Sequence, residues 1–273
     1  MSGADLHMHS TASDGVNSPY RLIELAQQAK LEYIAITDHD SISGYSDNLF
    51  KYAEKHHVVL IPGIEISCSY KGKEVHILGY MLDYKNQLLR NFLHKLQECR
   101  VERIKTMLEK LSEIGIHITY EEISKNAAGS IGRPHIARKI IQKKYATNMK
   151  DVFNRYIGAN GSCFVPKKTF PIKDTIDVIE QSGGFAVLAH PHLIGDDNIV
   201  EYVLSQGDIG LEVLYRGMPQ HKKEKYMQIA KERNLYISGG SDFHGKFNME
   251  ELGFYRIESI YAKAIHERNK IQG

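Results

Sequence analysis

The chain of 273 residues has no tryptophan, three cysteines and seven prolines. Its apolar runs, such as Phe185–Ala189, are far too short to span a bilayer, so no membrane partner is expected. Cys68, Cys99 and Cys163 are odd in number and sit at neither a metal-binding nor a disulfide spacing, which fits a reducing cytoplasm. Met1–Asp5 shows neither a basic stretch nor an apolar core, so no secretory signal is visible. Charge of one sign is also missing. Lys and Arg number 35 against 33 Asp and Glu, too balanced to argue for duplex DNA. No internal repeat is found, and 42% hydrophobic with 25% charged residues excludes disordered and collagenous chains. No Gly-x-Ser-x-Gly and no Gly-x-x-x-x-Gly-Lys occurs, which removes serine-hydrolase and P-loop readings.

Histidine is what the chain has in plenty, with 14 residues. It is the commonest metal ligand and the usual side chain titrating near neutrality. Its placement depends on how the chain is organised. Residues 1–85 alternate strand and helix patterns: Ala4–His9 as a strand, a helix capped by Ser18-Pro19, strands at Tyr33–Thr37, Val58–Ile64 and Glu74–Tyr80. Residues 86–165 read as a helical insertion, with a long helix over Asn86–Ile114, a capping box at Thr119 and Glu122, and a helix opened by Pro134. Alternation returns over 166–273. Such alternation predicts an α/β fold of parallel strands with crossover helices, either a barrel or an open sheet.

The histidines and acids gather at predicted strand ends. His7 and His9 lie two apart on one strand and so share a face. Asp14 follows in the next loop. His39 stands in Thr37-Asp38-His39-Asp40 and Glu65 ends Pro62-Gly63-Ile64-Glu65. His76, then His190 with His192, then Asp242 and His244 complete the set. A lone strand histidine is usually a satisfied core residue, and a lone acid after a strand is usually a helix cap. Five strands delivering such groups to the functional end of an α/β fold are poorly explained that way. Imidazoles and carboxylates without thiolate suit Zn, Mn or Fe. The ligands outnumber the roughly 3 to 4 used by one zinc, so two or three divalent ions are expected.

In order, Asp5-Leu6-His7-Met8-His9-Ser10, Ser13-Asp14-Gly15, Thr37-Asp38-His39, Pro62-Gly63-Ile64-Glu65, His190-Pro191 and Ser241-Asp242-Phe243-His244 resemble the PHP (polymerase and histidinol phosphatase) family. The resemblance covers the chain outside the insertion. It implies a distorted (β/α)7 barrel, a trinuclear metal site and phosphoesterase activity by metal-bound hydroxide. It places one metal on His7, His9, Glu65 and Asp242, a second on Asp14, His39 and His244, and a third on His76 and His190 with Glu65 as bridge. Asp14 stands where some members carry histidine, which hardens that site and favours Mn or Fe over Zn. Asp38 and Asp40 flank a ligand and are expected to orient it.

The insertion is similar to that of a subgroup acting on nucleoside 3′,5′-bisphosphates and short oligoribonucleotides. The resemblance gives Arg100, Arg103, Arg133 and His135 as phosphate contacts. The sequence offers independent support. Leu89, Phe92, Leu93, Leu96, Ile104, Met107 and Leu111 form one helical stripe, and Arg100 and Arg103 fall inside it. Cations on a buried face need an anionic partner. A substrate phosphate is one candidate; snorkelling or an ion pair with the barrel are the others. Arg133 and His135 stand at the helix start, where free amides favour an anion. Lys167-Lys168, where the insertion rejoins the core, reads as a solvated hinge.

The expected function is a metal-dependent phosphomonoesterase. It would remove the 3′-phosphate of nucleoside 3′,5′-bisphosphates and, secondarily, process short 5′-phosphorylated single-stranded RNA. A histidinol-phosphate phosphatase is the rival enzyme, which the insertion disfavours. A non-catalytic metal-bound module is the rival outside enzymes, which the full ligand set disfavours.

Overall fold

The computed structural model describes residues 3–125, 131–245 and 252–271. The chain runs β1 (Gly3–Met8), α1 (Pro19–Gln28), β2 (Leu31–Ile36), α2 (Asp47–Lys55), β3 (Val59–Tyr70), β4 (Lys73–Tyr80) and α3 (Gln87–Glu113). Next come α4 (Tyr120–Ser124), α5 (Arg133–Gln142), α6 (Met149–Val152) and a π-helical turn at Phe153–Ile157. The second half holds β5 (Phe170–Pro171), α7 (Ile172–Gln181), β6 (Phe185–Leu188), α8 (Pro191–Ile194), α9 (Asp197–Leu204), β7 (Gly210–Tyr215), α10 (Gln220–Glu232), β8 (Ile237–Gly240), β9 (Ile257–Glu258) and α11 (Ser259–Ile271).

The strands follow the order β8-β7-β6-β4-β3-β2-β1-β9 and curl into a nearly closed α/β barrel. The seven longer strands are those the barrel expectation requires; the two-residue β9 adds an eighth beside β1. The seam is drawn shut at the functional end, where His9 donates its N–H to Phe243 O at 2.8 Å. Gly240 permits this approach. A Cβ there would lie 2.4 Å from the His7 backbone nitrogen.

One part of the parallel expectation fails. β3 and β4 are antiparallel, and so are β4 and β6, while β1–β2–β3 and β6–β7–β8 are parallel. The reason is a tight hairpin: Lys71 and Gly72 both take positive φ, so β4 turns straight back on β3 without a crossover helix. Because β4 runs backwards, its early residue His76 lies where its neighbours' carboxyl ends lie.

Three apolar clusters belong to the barrel and its helices, and a fourth is formed wholly by residues between Ile104 and Cys163. The long helix α3 joins them. Leu89, Leu93 and Leu96 pack into a barrel cluster, while Ile104, Met107 and Leu111 pack into the insertion's own. The expected change of character at residue 86 therefore falls earlier than the change of core.

Candidate metal centre

Alternation along β1 sorts its side chains. Asp5, His7 and then His9 point to one face, while Leu6 and Met8 are buried in other clusters. The loop after β1 is folded by Asp38, which accepts from Ser10 N (2.7 Å), Ser10 Oγ (2.6 Å) and Ser13 Oγ (2.6 Å). That network presents Asp14. Asp38 thus orders a neighbouring loop rather than His39. His190 and Asp242 leave their strands with positive φ of 27° and 51°, and Asp40 has φ of 49°. Such conformations are strained for residues with a Cβ and accumulate at functional sites.

Glu65 stands at the centre. Its Oε2 lies 3.4 Å from His7 Nε2, 3.3 Å from His9 Nε2 and 3.0 Å from His39 Nδ1. Its Oε1 lies 2.7 Å from His76 Nδ1 and 3.0 Å from His190 Nε2. Asp242 Oδ1 is 3.0 Å from His9 Nε2 and 3.5 Å from His7 Nε2. Asp14 Oδ1 is 3.1 Å from His244 Nε2. All nine residues singled out in the sequence for metal binding meet at this one end of the barrel. They fall into three overlapping donor groups: His7, His9, Glu65 and Asp242; His9, Asp14, His39 and His244; and His39, Glu65 and His76. The first group has the expected membership. The second gains His9 and the third gains His39, because both rings stand between neighbouring groups. His190, expected in the third group, stays outside it, meeting the Glu65 carboxylate and packing edge-on against the His76 ring with centroids 5.0 Å apart. His192 stays outside, its ring 5.1 Å from Tyr215.

The donor set fits divalent cations. His7 Nε2, both His9 nitrogens, His39 Nδ1 and Glu65 Oε2 are buried with no hydrogen-bond partner among the described residues. Buried polar atoms are seldom left this way. Imidazole nitrogens and carboxylate oxygens converging at such distances call for positive charge between them, which a divalent cation supplies. The electrostatics agree. Burial alone would lower the His9 ring, yet the Asp242 and Glu65 carboxylates raise it to about 10. Burial is likewise overcome at His76, which Glu65 and Glu74 raise to about 9. Burial would raise Asp242, but the His244 and His7 rings hold it well below the usual carboxylate range.

Sequence reasoning missed the groups that hold this cluster in place. His7 Nδ1 meets Glu212 Oε1 at 2.9 Å, and Glu212 Oε2 accepts from His190 N at 2.5 Å. Tyr215 donates to Asp242 Oδ2 at 2.6 Å, leaving Oδ1 for the imidazoles. Asp5, fully buried, accepts from Ser241 Oγ (2.6 Å) and Ser241 N (3.0 Å) and so ties β1 to the end of β8. Desolvation pushes Asp5 up to about 6, against those hydrogen bonds. The readable signal was an acid inside an otherwise apolar strand, Gly210-Leu211-Glu212-Val213.

Beside the third donor group lies a patch of positive charge. Arg100 pairs with Asp40 Oδ2, and Lys167 Nζ lies 3.5 Å from the same oxygen and 3.7 Å from Glu74 Oε1. Lys167 is only 12% exposed, so the solvated-hinge reading is corrected there, while Lys168 beside it is 70% exposed as expected. Arg100 on the helix stripe has found its anion inside the chain, in Asp40. Asp40 also accepts from Ser67 N at 2.9 Å, so it orients these cations rather than His39. Arg103 donates Nε to Val165 O at 2.8 Å. Arg133 lies over the Phe153 ring at 5.5 Å, and burial lowers its basicity, as it does that of Arg103. His135 caps its own helix, its Nδ1 accepting from Gly132 N at 3.1 Å. Glu74 Oε1 touches His76 Nε2 at 3.3 Å, so the patch and the donor cluster are continuous.

Known proteins resemble this chain in fold and in sequence. A solved structure from Bifidobacterium adolescentis, assigned as a metal-dependent phosphoesterase, superposes with a TM-score of 0.89 at 27% identity, covering 98% of this chain and 96% of that one. A 5′-3′ exoribonuclease of Haemophilus influenzae is 34% identical over 255 residues, 91% of this chain and 92% of its own. A 3′,5′-nucleoside bisphosphate phosphatase of Chromobacterium violaceum is 30% identical over 251 residues, 89% and 88% of the two chains. Fold, donor cluster and relatives together define a metal-dependent hydrolase of phosphoester bonds. The PHP domain model matches residues 5–175, and the chain belongs to that family.

Proposed function

We propose that the protein hydrolyses the 3′-phosphoester of a nucleotide that also carries a 5′-phosphate. Nucleoside 3′,5′-bisphosphates and short 5′-phosphorylated RNA are the substrate classes. The observation carrying this reading is the adjacency of two different sites. Unpartnered imidazole and carboxylate atoms suited to cations adjoin a patch of four cations, Arg100, Arg103, Arg133 and Lys167, whose acidic neighbours are Asp40 and Glu74. That patch has positive charge to spare for a second phosphate.

Two or three divalent ions, Mn, Zn or Fe, would be held by His7, His9, Asp14, His39, Glu65, His76, His190, Asp242 and His244. Bound there, they supply Lewis acidity toward phosphoryl oxygens and lower the pKa of water. The protein's own groups do the positioning. Glu212 and Glu74 fix the outer nitrogens of His7 and His76, so that the inner nitrogens aim at the centre. Arg100, Arg103, Arg133 and His135 hold the non-reacting phosphate, and binding there places the other phosphate over Glu65. The helical insertion acts as the substrate-binding cap, because it supplies all four of these residues. Partners are thus phosphorylated nucleotides. Among the described residues no helix is long and apolar enough to cross a membrane.

The test is phosphate release, with added Mn, from adenosine 3′,5′-bisphosphate, AMP and histidinol phosphate in parallel. Preference for the bisphosphate, abolished by chelation, supports both halves of the reading. Equal rates on all three would remove the cationic patch from the specificity argument. Histidinol phosphate as the best substrate would overturn the reading.

A further inference from the structure

A cleft of about 260 Å³ opens on the other flank of the donor cluster, between the loop after β1 and the helices α4 and α5. Ser13 and Gly15, which bracket Asp14, form one wall with Val16; Ile123, Arg138, Lys139 and Gln142 form the other, and His135 lines the cleft where it borders Arg100 of the cationic patch. The cleft lies beside the donor group that alone contains Asp14, whereas the cationic patch lies beside the group that alone contains His76. Arg138 stitches the walls together by donating Nη2 to Asp14 O at 2.6 Å. Charge in the cleft is positive on balance. The acid there, Glu122, has Lys143 at 2.9 Å and Lys139 at 3.7 Å, with Arg138 in addition. Val16 and Ile123 add apolar surface.

The cleft's position acquires meaning from the bond being broken, and this step rests on the proposed function. In a nucleoside bisphosphate the scissile phosphate ends the molecule. In RNA the same phosphate continues into the next nucleotide through O5′. Breaking P–O3′ is one reaction in both. Water oxygen bonds to phosphorus, O3′ leaves with a proton taken from that water, and the released portion keeps the phosphate. Only RNA needs room beyond the phosphate. With the 5′-phosphate held by Arg100, Arg103 and Arg133 on the His76 side, and His135 at the border between the two, that room lies on the Asp14 side.

We infer that the Asp14-side cleft is a subsite for the nucleotide 3′ to the scissile phosphate, so that this chain can act on oligoribonucleotides and not only on mononucleotides. Its volume is below the roughly 300–1,000 Å³ of pockets that enclose a whole small molecule, which suits one sugar-base unit of a longer strand. Lys139 serves the next phosphodiester, and Val16 and Ile123 pack against the sugar or base.

The test compares kcat/KM for 5′-phosphorylated triadenylate and for adenosine 3′,5′-bisphosphate, using Mn-loaded full-length protein. Two variants are measured, Lys139→Glu to reverse the charge and Val16→Phe to fill the cleft. Each should lower the trinucleotide-to-bisphosphate ratio by about tenfold or more. A ratio equal to wild type in both folded variants overturns the subsite. Wild-type protein that hydrolyses the bisphosphate but leaves the trinucleotide intact also overturns it, and leaves the phosphatase reading standing. Failure on both substrates with metal bound overturns that reading and the subsite together.

Discussion

Individual residues here act mostly through one neighbour each. Glu212 is the clearest case: it is fully buried and touches His7 Nδ1 on one oxygen and His190 N on the other. Glu212→Gln keeps the shape but weakens the hold on the His7 tautomer. Metal affinity should fall by roughly 10- to 100-fold, read by competition with a chelating dye, while the fold persists. Arg103 makes the opposite prediction. Its neighbours are Val165 O and the Phe164 ring, not the donor cluster. Arg103→Ala should raise KM for the bisphosphate by roughly 10- to 100-fold, the range for losing a hydrogen bond to a charged group. Metal content should stay at the wild-type level. If metal is lost instead, Arg103 is not a substrate contact.

At the scale of elements, two joints carry the site. The first is the seam between β1 and β8. Gly240→Ala would set a methyl carbon 2.4 Å from the His7 backbone nitrogen and 2.7 Å from Asp5 Oδ1. Backbone cannot yield as a flexible side chain does, so destabilisation of about 3 kcal/mol or more is expected by urea unfolding, with loss of metal binding. The second joint is Asp40, which clasps Arg100 of α3 and Lys167 of the returning segment against the barrel. Asp40→Asn leaves Arg100 without its carboxylate and Lys167 with Glu74 alone. Stability should drop by about 3 kcal/mol, in the range for breaking one partner of a buried pair.

Over the whole molecule, metal and proton compete for one end of the barrel. Without metal, His9 and His76 are raised to about 10 and about 9, so both carry protons at neutral pH. Raised imidazoles stabilise the fold fully below the unfolded value of about 6.5 and lose that contribution as pH climbs through 9 and 10. Metal-free protein should therefore lose thermal stability between pH 7 and pH 10. Metal-loaded protein should not, since its ligands are already deprotonated. Displacing these two protons alone means that metal affinity falls by about a hundredfold or more per pH unit of acidification below pH 8, since His7 is also raised. Metal titrations at pH 6.5, 7.5 and 8.5 check this. Chelation at neutral pH should lower the melting temperature, because an ion at a hundred times its Kd contributes about 2.7 kcal/mol.

Much of this was legible in the chain. His7 and His9 announce themselves because period-two alternation puts them on one face, and the Thr119–Glu122 capping box needs only local geometry. Spacing and composition thus settle which residues are chemically suited to a cation, and the insertion's helices follow from their own periodicity. Burial and partnership are different, since they depend on what another segment brings. The sequence does not mark Lys167 as buried, because its environment is made by Asp40 and Glu74, each more than ninety residues away. Nor does it show that Arg100 already has an anion, that His9 and His39 are shared between donor groups, or that β4 runs backwards and presents His76 from its beginning. Local propensity and periodicity determined the elements and the donors. Only the closing of the barrel decided which donors share a cation, which charges are paired, and which remain for a phosphate.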